Sequence, residues 1–448
     1  MVNPYSHKLI FETLSKTAVS PDDVAVLLSP KDYFKQLLAL IDAATARIYL
    51  TVLYLENDEA GRLIIAHLIA AKQKNPQLEI KIFVDYHRAR RVPNTQKNAR
   101  CNADFYREID VNYPDFIQIY GVAVKRREVF GVLHLKGIVI DDTLFYTGAS
   151  INNVYLHYQE RYRYDRYWII KSEKLCDSFV GYLNRAFICN EGVYLFNRHP
   201  FALDNTFRRK IAAQYKRLKK ERYQRDNKNE PGRLTVAPLI GIGNRSNQLN
   251  KIIHQLMLQT KQRVVLYTPY FNLPEILKRD IALLWHRQTK VEIVVGDKRA
   301  NDFFVPETQP FTKIGLIPYL YEMNLLKFIK YHQKAVDSGL LSVRLWRHDA
   351  HSFHLKGLSV DNRYHLLTGN NLNPRAWRLD FENGLLIDDR DKQLMDLVEQ
   401  EHQQIIQHTR IIKNWQQIET QNDYPLIVKK WLTRLRWSNL DKLLKQYM

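Results

Sequence analysis

The chain is poor in cysteine, with only three among its 448 residues. Cys101, Cys176 and Cys189 form no C-x-x-C pair and do not cluster with histidines at metal spacing. Neither a disulfide framework nor a zinc knuckle is therefore supported. We expect a reducing, cytoplasmic environment, no bound metal and no other cofactor.

Long hydrophobic runs are also missing. The amino terminus, MVNPYSHKLIFETL, lacks the apolar core of a signal peptide. The longest apolar stretch, 63–71, is short and is interrupted by His67. We expect no membrane-spanning segment, so any contact with a membrane is expected to be peripheral.

Negative charge is scarce relative to positive charge. The chain has 47 Asp and Glu against 67 Lys and Arg, which gives a formal net charge of +20. Such an excess predicts an anionic partner. Composition alone leaves nucleic acid, acidic lipid headgroups and polyanionic metabolites open. The hydrophobic content of 45% is enough for two cores of roughly 200 residues each.

An internal repeat divides the chain into two similar halves. The string HLKGIVIDD at His134 returns as HLKGLSVDN at His354. Before each copy, a helical stretch leads into an apolar run and then a short β-branched strand, which predicts helices over 33–46 and 247–262 and strands over 80–85 and 291–297. This alternation predicts an α/β fold of two lobes, each a largely parallel sheet flanked by helices.

Two basic segments complete the predicted organisation. The segment 207–225 has apolar residues at helical spacing, and the KNEPGR that follows it marks a boundary near Pro231. We expect a first lobe over 1–230, a second lobe over 231–420 and a tail of basic amphipathic helices over 421–448. Such helices can be solvated surface or can lie on lipid, and the tail can also pack on the second lobe.

Each repeat contains the pattern H-x-K-x4-D, as His134, Lys136, Asp141 and as His354, Lys356, Asp361. Residues two apart on a strand share one face, so each histidine is expected beside its lysine. Each aspartate falls in a turn beyond the strand. We expect the two aspartates to hold that turn and anchor the strand without touching substrate.

Polar residues follow each motif at similar distances. Each second strand ends in a glycine followed by small polar residues suited to phosphate oxygens, namely Ser150, Asn152, Asn371 and Asn373. Glu160 and Glu382 come eight and nine residues after Asn152 and Asn373. A carboxylate at this place could accept the Nδ1 proton of an imidazole and leave Nε2 free to attack.

Basic residues follow two equivalent strands, as Arg88, Arg90, Arg91 and as Lys298. Ligands of open α/β sheets bind at the carboxyl ends of the strands. We therefore expect these four side chains to contact the anionic substrate. The alternative is ordinary surface charge.

The two motifs resemble the paired HKD motifs of the phospholipase D superfamily, in which both copies form one active site. Longer strings resemble the Gram-negative bacterial phosphatidylserine synthases of that superfamily, among them GVLHLKG, TGASINNVYLH, RYRYDRY, TPYFNLPEIL and LTGNNLNPRAWRLDFENG. This resemblance spans nearly the whole chain. The first glycine motif has GAS where many relatives have GGS, and the second has Asn371 where they often have Ser.

The resemblance implies transfer of a phosphatidyl group from CDP-diacylglycerol to L-serine, which gives phosphatidylserine and CMP. It implies a phosphatidyl-histidine intermediate, with His134 as the nucleophile and His354 as the acid that protonates CMP. It further implies peripheral association with the inner face of the cell membrane, and docking of the basic tail on the ribosome is also open. A cardiolipin synthase, which usually has amino-terminal membrane spans, or a phospholipase D-type phosphodiesterase or nuclease are the alternatives.

Overall fold

The apolar strands and amphipathic helices of the two repeats fold into two α/β lobes. The computed structural model describes residues 11, 13–92, 100–188, 190–196, 205–224 and 232–437. The strands are β1 (Thr17–Ala18), β2 (Val24–Leu27), β3 (Arg47–Thr51), β4 (Glu79–Asp85), β5 (Gln118–Val122), β6 (Gly137–Ile140), β7 (Thr143–Thr147), β8 (Arg163–Tyr164), β9 (Tyr167–Lys171), β10 (Val193–Leu195), β11 (Leu234–Ile242), β12 (Arg263–Thr268), β13 (Lys290–Gly296), β14 (Leu341–Trp346), β15 (Ser352–Phe353), β16 (Gly357–Val360), β17 (Tyr364–Thr368), β18 (Phe381–Asp389) and β19 (Thr409–Ile412).

Amphipathic helices cover the sheets, and several begin at a capping side chain. Ser29 accepts from the Asp32 N–H at the start of α1, and Asn247 accepts from the Asn250 N–H at the start of α7. The helices are α1 (Pro30–Ala43), α2 (Glu59–Lys74), α3 (Tyr86–Ala89), α4 (Asn102–Asn112), α5 (Glu173–Leu183), α6 (Asn205–Leu218), α7 (Gln248–Gln259), α8 (Glu275–His286), α9 (Ile317–Tyr331), α10 (Gln333–Asp337), α11 (Pro374–Arg378), α12 (Met395–Ile406) and α13 (Leu426–Trp437). The predicted strand and helix pairs of both repeats are present.

Each lobe has one large sheet, and both sheets are mixed. The first has the strand order β10-β5-β4-β3-β6-β7-β9-β2 and the second β1-β11-β18-β17-β16-β12-β13-β14-β19. Within these two sheets, parallel pairing is confined to β3-β4-β5 and to β12-β13-β14. The two α/β lobes are confirmed, but the prediction of largely parallel sheets is wrong. Tight turns join β6 to β7 and β16 to β17, and such turns join only antiparallel neighbours.

The amino-terminal segment crosses to the second lobe. Strand β1 pairs with β11, and Phe11 and Leu14 pack in the second lobe's core. The predicted first lobe over 1–230 therefore gives its first residues to the second sheet. The predicted boundary near Pro231 lies within 225–231, outside the described residues.

A shared hydrophobic core joins the lobes. It combines Leu135 and Tyr146 from the first lobe with Ile240, Phe381 and Leu385 from the second. Each such side chain contributes about 1.5–3 kcal/mol when it is fully buried. The lobes are therefore held in a fixed relation, which positions the groups that meet between them.

Both predicted basic segments contain a helix among their described residues. Helix α6 buries Ile211 and Leu218, and α13 buries Val428 and Leu432 against the second lobe. The rest of the tail, 438–448, lies outside the described residues. Within the described ranges, no helix has the length and apolarity needed to span a bilayer.

Candidate active site between the two lobes

Short parallel strand pairings bring both histidines to the interface between the lobes. The N–H of His134 donates to the carbonyl of Phe381 at 2.8 Å, and the N–H of His354 donates to the carbonyl of Tyr164 at 2.8 Å. Phe381 begins β18 in the second lobe, whereas Tyr164 ends β8 in the first. The side chain after each acceptor residue is thereby placed beside the histidine of the opposite lobe.

Each imidazole contacts a carboxylate from the other lobe. His134 Nδ1 lies 2.8 Å from both carboxylate oxygens of Glu382, and His354 Nδ1 lies 2.9 Å from Asp165 Oδ2. All four residues are buried. A carboxylate at Nδ1 favours the tautomer with its proton on Nδ1, which leaves the Nε2 lone pair free.

The carboxylate that contacts His354 is Asp165, so the prediction for Glu160 is wrong. Glu160 is exposed on the loop before β8. Thr147 pairs with Tyr167 in the first lobe as Thr368 pairs with Gly384 in the second, so Asp165 and Glu382 hold equivalent positions.

The prediction failed because the loop before the carboxylate is longer in the first lobe than in the second. Asp165 comes seventeen positions after Gly148, but Glu382 comes only thirteen positions after Gly369. Counting forward from the asparagines therefore gives the wrong residue in the first lobe. An alignment anchored on the strands would have found Asp165.

The two motif lysines lie in this buried charge cluster. Lys356 Nζ lies 3.1 Å from Asp165 Oδ2 and also contacts the His354 ring. Lys136 Nζ is buried and has no hydrogen-bond partner among the described residues. Burial, followed by the Lys356 ammonium, lowers the pKa of Lys136 to about 7. An anionic oxygen bound here would supply the missing acceptor.

Asn383, which was not predicted as a site residue, holds the backbone of Lys136. Its Oδ1 accepts from the Lys136 N–H at 2.8 Å, and its Nδ2 donates to the Lys136 carbonyl at 2.7 Å. An asparagine side chain can imitate a paired strand in this way. It had no signal in the sequence beyond its position next to Glu382.

Burial and charge set different ionisation preferences on the two sides of the site. Burial and then Lys136 lower the pKa of His134 well below its usual value, while burial and then Lys356 lower the pKa of His354 to about 4. Burial alone would raise the pKa of Asp165, but the Lys356 ammonium and the His354 hydrogen bond lower it to about 2. Burial and the nearby Asp380 instead raise the pKa of Glu382. These surroundings therefore favour the neutral form of both imidazoles near pH 7 and the ionised form of Asp165.

The glycines of the two repeats permit close approach. A Cβ at Gly148 would lie 2.6 Å from Asp165 Oδ1, and one at Gly369 would lie 3.0 Å from Lys136 Cγ. Both approaches are tighter than ordinary van der Waals contact. These glycines let a charged side chain of the site lie directly against the backbone.

The motif aspartates hold turns at the far ends of their strands. Asp141 accepts hydrogen bonds from the N–H groups of Thr45, Ala46 and Arg47 at 2.8–3.0 Å. Asp361 does the same for Lys261, Gln262 and Arg263. Each carboxylate thus fixes the backbone that enters the neighbouring strand, β3 or β12. Neither residue is among those that line the cavity described below.

We expect Asp141→Ala to lower the free energy of unfolding by about 1–3 kcal/mol, because three N–H groups lose their acceptor. Asp141 also has a positive φ of 48°, which alanine disfavours. Asp141→Asn, which tolerates that conformation, is expected to lose less. Denaturant unfolding measures both changes. A large loss of turnover in correctly folded Asp141→Ala would contradict this anchoring role.

A cavity of about 690 Å³ opens between the lobes, and both His134 and His354 line it. Of the predicted substrate contacts, Arg88, Arg91, Asn371 and Asn373 line it as well. Asn373 Oδ1 also caps α11 by accepting from the Ala376 N–H. The cavity further includes Tyr155, Arg163, Tyr270, Asp302, Arg375 and Asp380, which sequence analysis did not select.

Four predicted contacts lie elsewhere. Lys298 is buried in ion pairs with Glu322, at 2.9 Å, and with Glu419, so the prediction that it contacts substrate is wrong. Arg90 donates to the Tyr86 hydroxyl at 2.7 Å, Asn152 caps a turn by accepting from the Tyr155 N–H, and Ser150 is buried. None of these four is among the described residues that line the cavity.

One cluster among the described residues has spacing suited to a metal ion, and it lies away from the cavity wall. It consists of His348, Asp349 and His351. The N–H of Tyr162 donates to His351 Nδ1 at 3.2 Å, so this nitrogen is already in use. The cavity itself presents arginines and amides beside its imidazoles and carboxylates, and the N–H groups of arginines and amides suit phosphate oxygens.

Known proteins are similar to this chain over nearly its whole length. A family model described as "Cardiolipin synthase, PLD-like domain" matches residues 37–187 and 253–406. The CDP-diacylglycerol–serine O-phosphatidyltransferase of Haemophilus influenzae is 44% identical over 96% of both chains. The Escherichia coli enzyme of the same name is 40% identical over 99% of this chain and 98% of that protein. The crystal structure of the Haemophilus influenzae phosphatidylserine synthase matches with a TM-score of 0.95, at 43% identity over 99% of both chains.

Two lobes with paired H-x-K-x4-D motifs around one cavity define a phospholipase D-like enzyme. Within that class, the chain belongs to the family of bacterial CDP-diacylglycerol–serine O-phosphatidyltransferases. The family resemblance found in the sequence is thereby confirmed.

Proposed function

We propose that this protein transfers the phosphatidyl group of CDP-diacylglycerol to L-serine and releases CMP. The observation that carries the proposal is the pair of imidazoles, one from each lobe, that face one cavity with a carboxylate of the opposite lobe at each Nδ1. The names of the two full-length relatives support these particular substrates.

The first displacement forms a covalent intermediate. Nε2 of His134 attacks the phosphorus of the phosphatidyl group, and the bond from this phosphorus to the CMP oxygen breaks. His354 gives its Nε2 proton to the departing CMP. Lys136 and Lys356 stabilise the charge that develops on the phosphoryl oxygens, which removes the need for a metal ion.

The second displacement releases the product. His354, now neutral, takes the proton of the serine hydroxyl, and the serine oxygen attacks the same phosphorus. The bond from phosphorus to His134 Nε2 breaks, which returns His134 to its neutral state. Phosphatidylserine leaves, and the proton taken from serine replaces the one that His354 gave to CMP.

The two environments favour this division of labour. Both oxygens of Glu382 face Nδ1 of His134, which orients its ring for attack. His354 lies beside Asp165, whose lowered pKa keeps a negative charge next to the ring. When an anionic substrate neutralises the lysines, that charge favours the protonated form of His354.

Release of CMP from CDP-diacylglycerol, measured with and without serine, tests the proposal. We expect release to depend on serine and phosphatidylserine to form in equal amount. Formation of cardiolipin with phosphatidylglycerol as the acceptor would favour a cardiolipin synthase. Cleavage of nucleic acid in place of these reactions would favour a nuclease.

We expect a bell-shaped pH profile for kcat/KM. At low pH, protonation of His134 removes the attacking lone pair, and its lowered pKa puts this limb below the usual histidine range near about 6.5. At high pH, His354 no longer supplies the proton that the departing CMP needs, and Lys136, with a pKa of about 7, loses its charge. A bound anion raises the pKa of this lysine, so the alkaline limb of kcat is expected at higher pH than that of kcat/KM. Chelators are expected to leave the rate unchanged, and a strict requirement for magnesium or manganese would contradict the mechanism.

The protein attaches peripherally to the anionic inner face of the cell membrane through α13. This helix exposes Leu426 (74%) and Trp437 (87%), and its basic residues are Lys429, Lys430, Arg434 and Arg436. Apolar insertion and about 1 kcal/mol per basic residue favour binding to acidic lipid.

Sedimentation with anionic vesicles is expected to weaken in Trp437→Ala and at high salt. Co-sedimentation with ribosomes and not with vesicles would assign the tail to ribosomal RNA.

A further inference from the structure

An ion pair between the lobes lies in the cavity wall near His354. Arg163 Nε, from β8 of the first lobe, lies 2.7 Å from Oδ1 of Asp302 in the second lobe. Asp302 Oδ2 accepts from the Tyr270 hydroxyl at 2.9 Å. The two charged side chains are only 16% and 10% exposed. The pair thus exists only where the two lobes meet.

Tyr155 connects this pair to the catalytic imidazole. The Arg163 guanidinium lies 4.5 Å from the centre of the Tyr155 ring. The hydroxyl of the same tyrosine lies 3.3 Å from His354 Nε2. The ion pair is therefore about one aromatic ring away from the nitrogen that exchanges protons with the leaving group and the acceptor.

A second ion pair in the cavity wall, between Arg375 and Asp380, uses its hydrogen-bonding groups within the protein. Arg375 donates to Asp380 Oδ2 and to the carbonyls of Glu128 and Val129, while Asp380 Oδ1 accepts from the Val132 N–H. That pair holds the backbone of residues 128–132 in the first lobe.

The terminal nitrogens of Arg163, by contrast, form no hydrogen bond with a described residue. These two nitrogens carry four N–H donors in the plane of a cavity-lining guanidinium, and the donors are left for a ligand. An adjacent guanidinium and carboxylate complement a molecule with one negative and one positive group. A free α-amino acid is such a molecule at neutral pH, whereas water and glycerol carry neither charge.

The order of the two displacements places the acceptor on the same side of the cavity, beside His354. In two successive in-line displacements, the acceptor enters where CMP left, which is the side of His354 and not that of His134. The proton of the acceptor must also reach His354. A subsite for the acceptor is therefore required near Tyr155, where the ion pair lies.

We propose that Arg163 and Asp302 form the acceptor subsite, in which Arg163 binds the carboxylate of serine and Asp302 binds its ammonium group. This inference rests on the proposed function and specifies how it selects its acceptor. Serine bound in this way presents its hydroxyl toward His354. The selection of serine over water and glycerol then depends on two charges contributed by different lobes.

Kinetics with three acceptors test the subsite: serine, ethanolamine, which lacks the carboxylate, and 3-hydroxypropionate, which lacks the ammonium group. Arg163→Gln is expected to raise the KM for serine by about 10- to 100-fold and to reduce the preference for serine over ethanolamine. Asp302→Asn is expected to reduce the preference over 3-hydroxypropionate. In both variants the ratio of serine transfer to CMP exchange is expected to fall.

Arg375→Gln is the matched control, since it removes another cavity-lining arginine that forms an ion pair. Whatever its effect on rate or stability, its acceptor preferences are expected to match those of the unmodified protein. If Arg163→Gln does not fold, Arg163→Lys keeps the charge without the planar fork and is expected to change acceptor preference in the same direction.

Two results separate failure of the subsite from failure of the proposed function. Unchanged acceptor preferences in Arg163→Gln and Asp302→Asn, or a rise only in the KM for CDP-diacylglycerol, would overturn the subsite alone. An unmodified protein that exchanges CMP but transfers nothing to serine would overturn the proposed function and the serine subsite together.

Discussion

Alanine in place of His134 is expected to abolish exchange of labelled CMP into CDP-diacylglycerol. Exchange requires a phosphatidyl-enzyme, and without the His134 imidazole no such adduct forms. We expect phosphatidylserine synthesis to fall by more than about 10³-fold, since loss of a nucleophile removes the covalent route. A radiochemical exchange assay without serine isolates this step from the second displacement.

His354→Ala is the matched comparison, because it removes the other imidazole of the same cavity. Attack by His134 remains possible in this variant, but protonation of the leaving CMP is lost. A slowly formed phosphatidyl-enzyme is therefore expected to accumulate and to be visible as a mass increase. Persistent exchange in His134→Ala together with loss of exchange in His354→Ala would reverse the two roles.

Asn in place of Asp165 is expected to lower kcat by about 10²- to 10⁴-fold, as when the carboxylate that orients a catalytic histidine becomes an amide. The substitution keeps the size of the side chain but removes the charge next to His354 and Lys356. His354 is then held less firmly, and its protonated form loses a stabilising neighbour. Steady-state rates across the pH range measure both effects.

Glu160→Gln is the control for this prediction, since sequence spacing pointed to Glu160 and the structure points to Asp165. Glu160 is exposed and Asp165 is buried. We expect Glu160→Gln to change kcat by less than about twofold, as for surface positions without special contacts. A severe loss in Glu160→Gln with a mild one in Asp165→Asn would show that the contact between Asp165 and His354 has no catalytic importance.

The sequence predicted the parts of the site that repeat in both halves. His134 and His354 stand in nearly identical strings, and their neighbouring lysines follow from the alternation of a strand. Asp141 and Asp361 were expected in turns, and both hold turns. Such local patterns depend on the chain near each residue, so sequence alone exposes them.

Contacts between the lobes could not be predicted from the sequence. Three polar residues each contact a residue of the opposite lobe, namely Asp165, Asn383 and Asp302. No local pattern distinguishes them from other polar residues. Lys298 was selected by position after a strand, but two carboxylates from distant parts of the chain neutralise it. The mixed sheets were missed for a similar reason, since strand direction is decided by which strands meet.

Peptide mapping of the covalent intermediate shows directly which imidazole attacks the phosphorus. The protein is mixed with CDP-diacylglycerol without serine, quenched by denaturation and digested for peptide mass spectrometry. We expect a phosphatidyl group on His134, in the peptide that contains Lys136. A group on His354 would reverse the division of labour. An active enzyme with no adduct on either histidine would contradict the two-histidine mechanism.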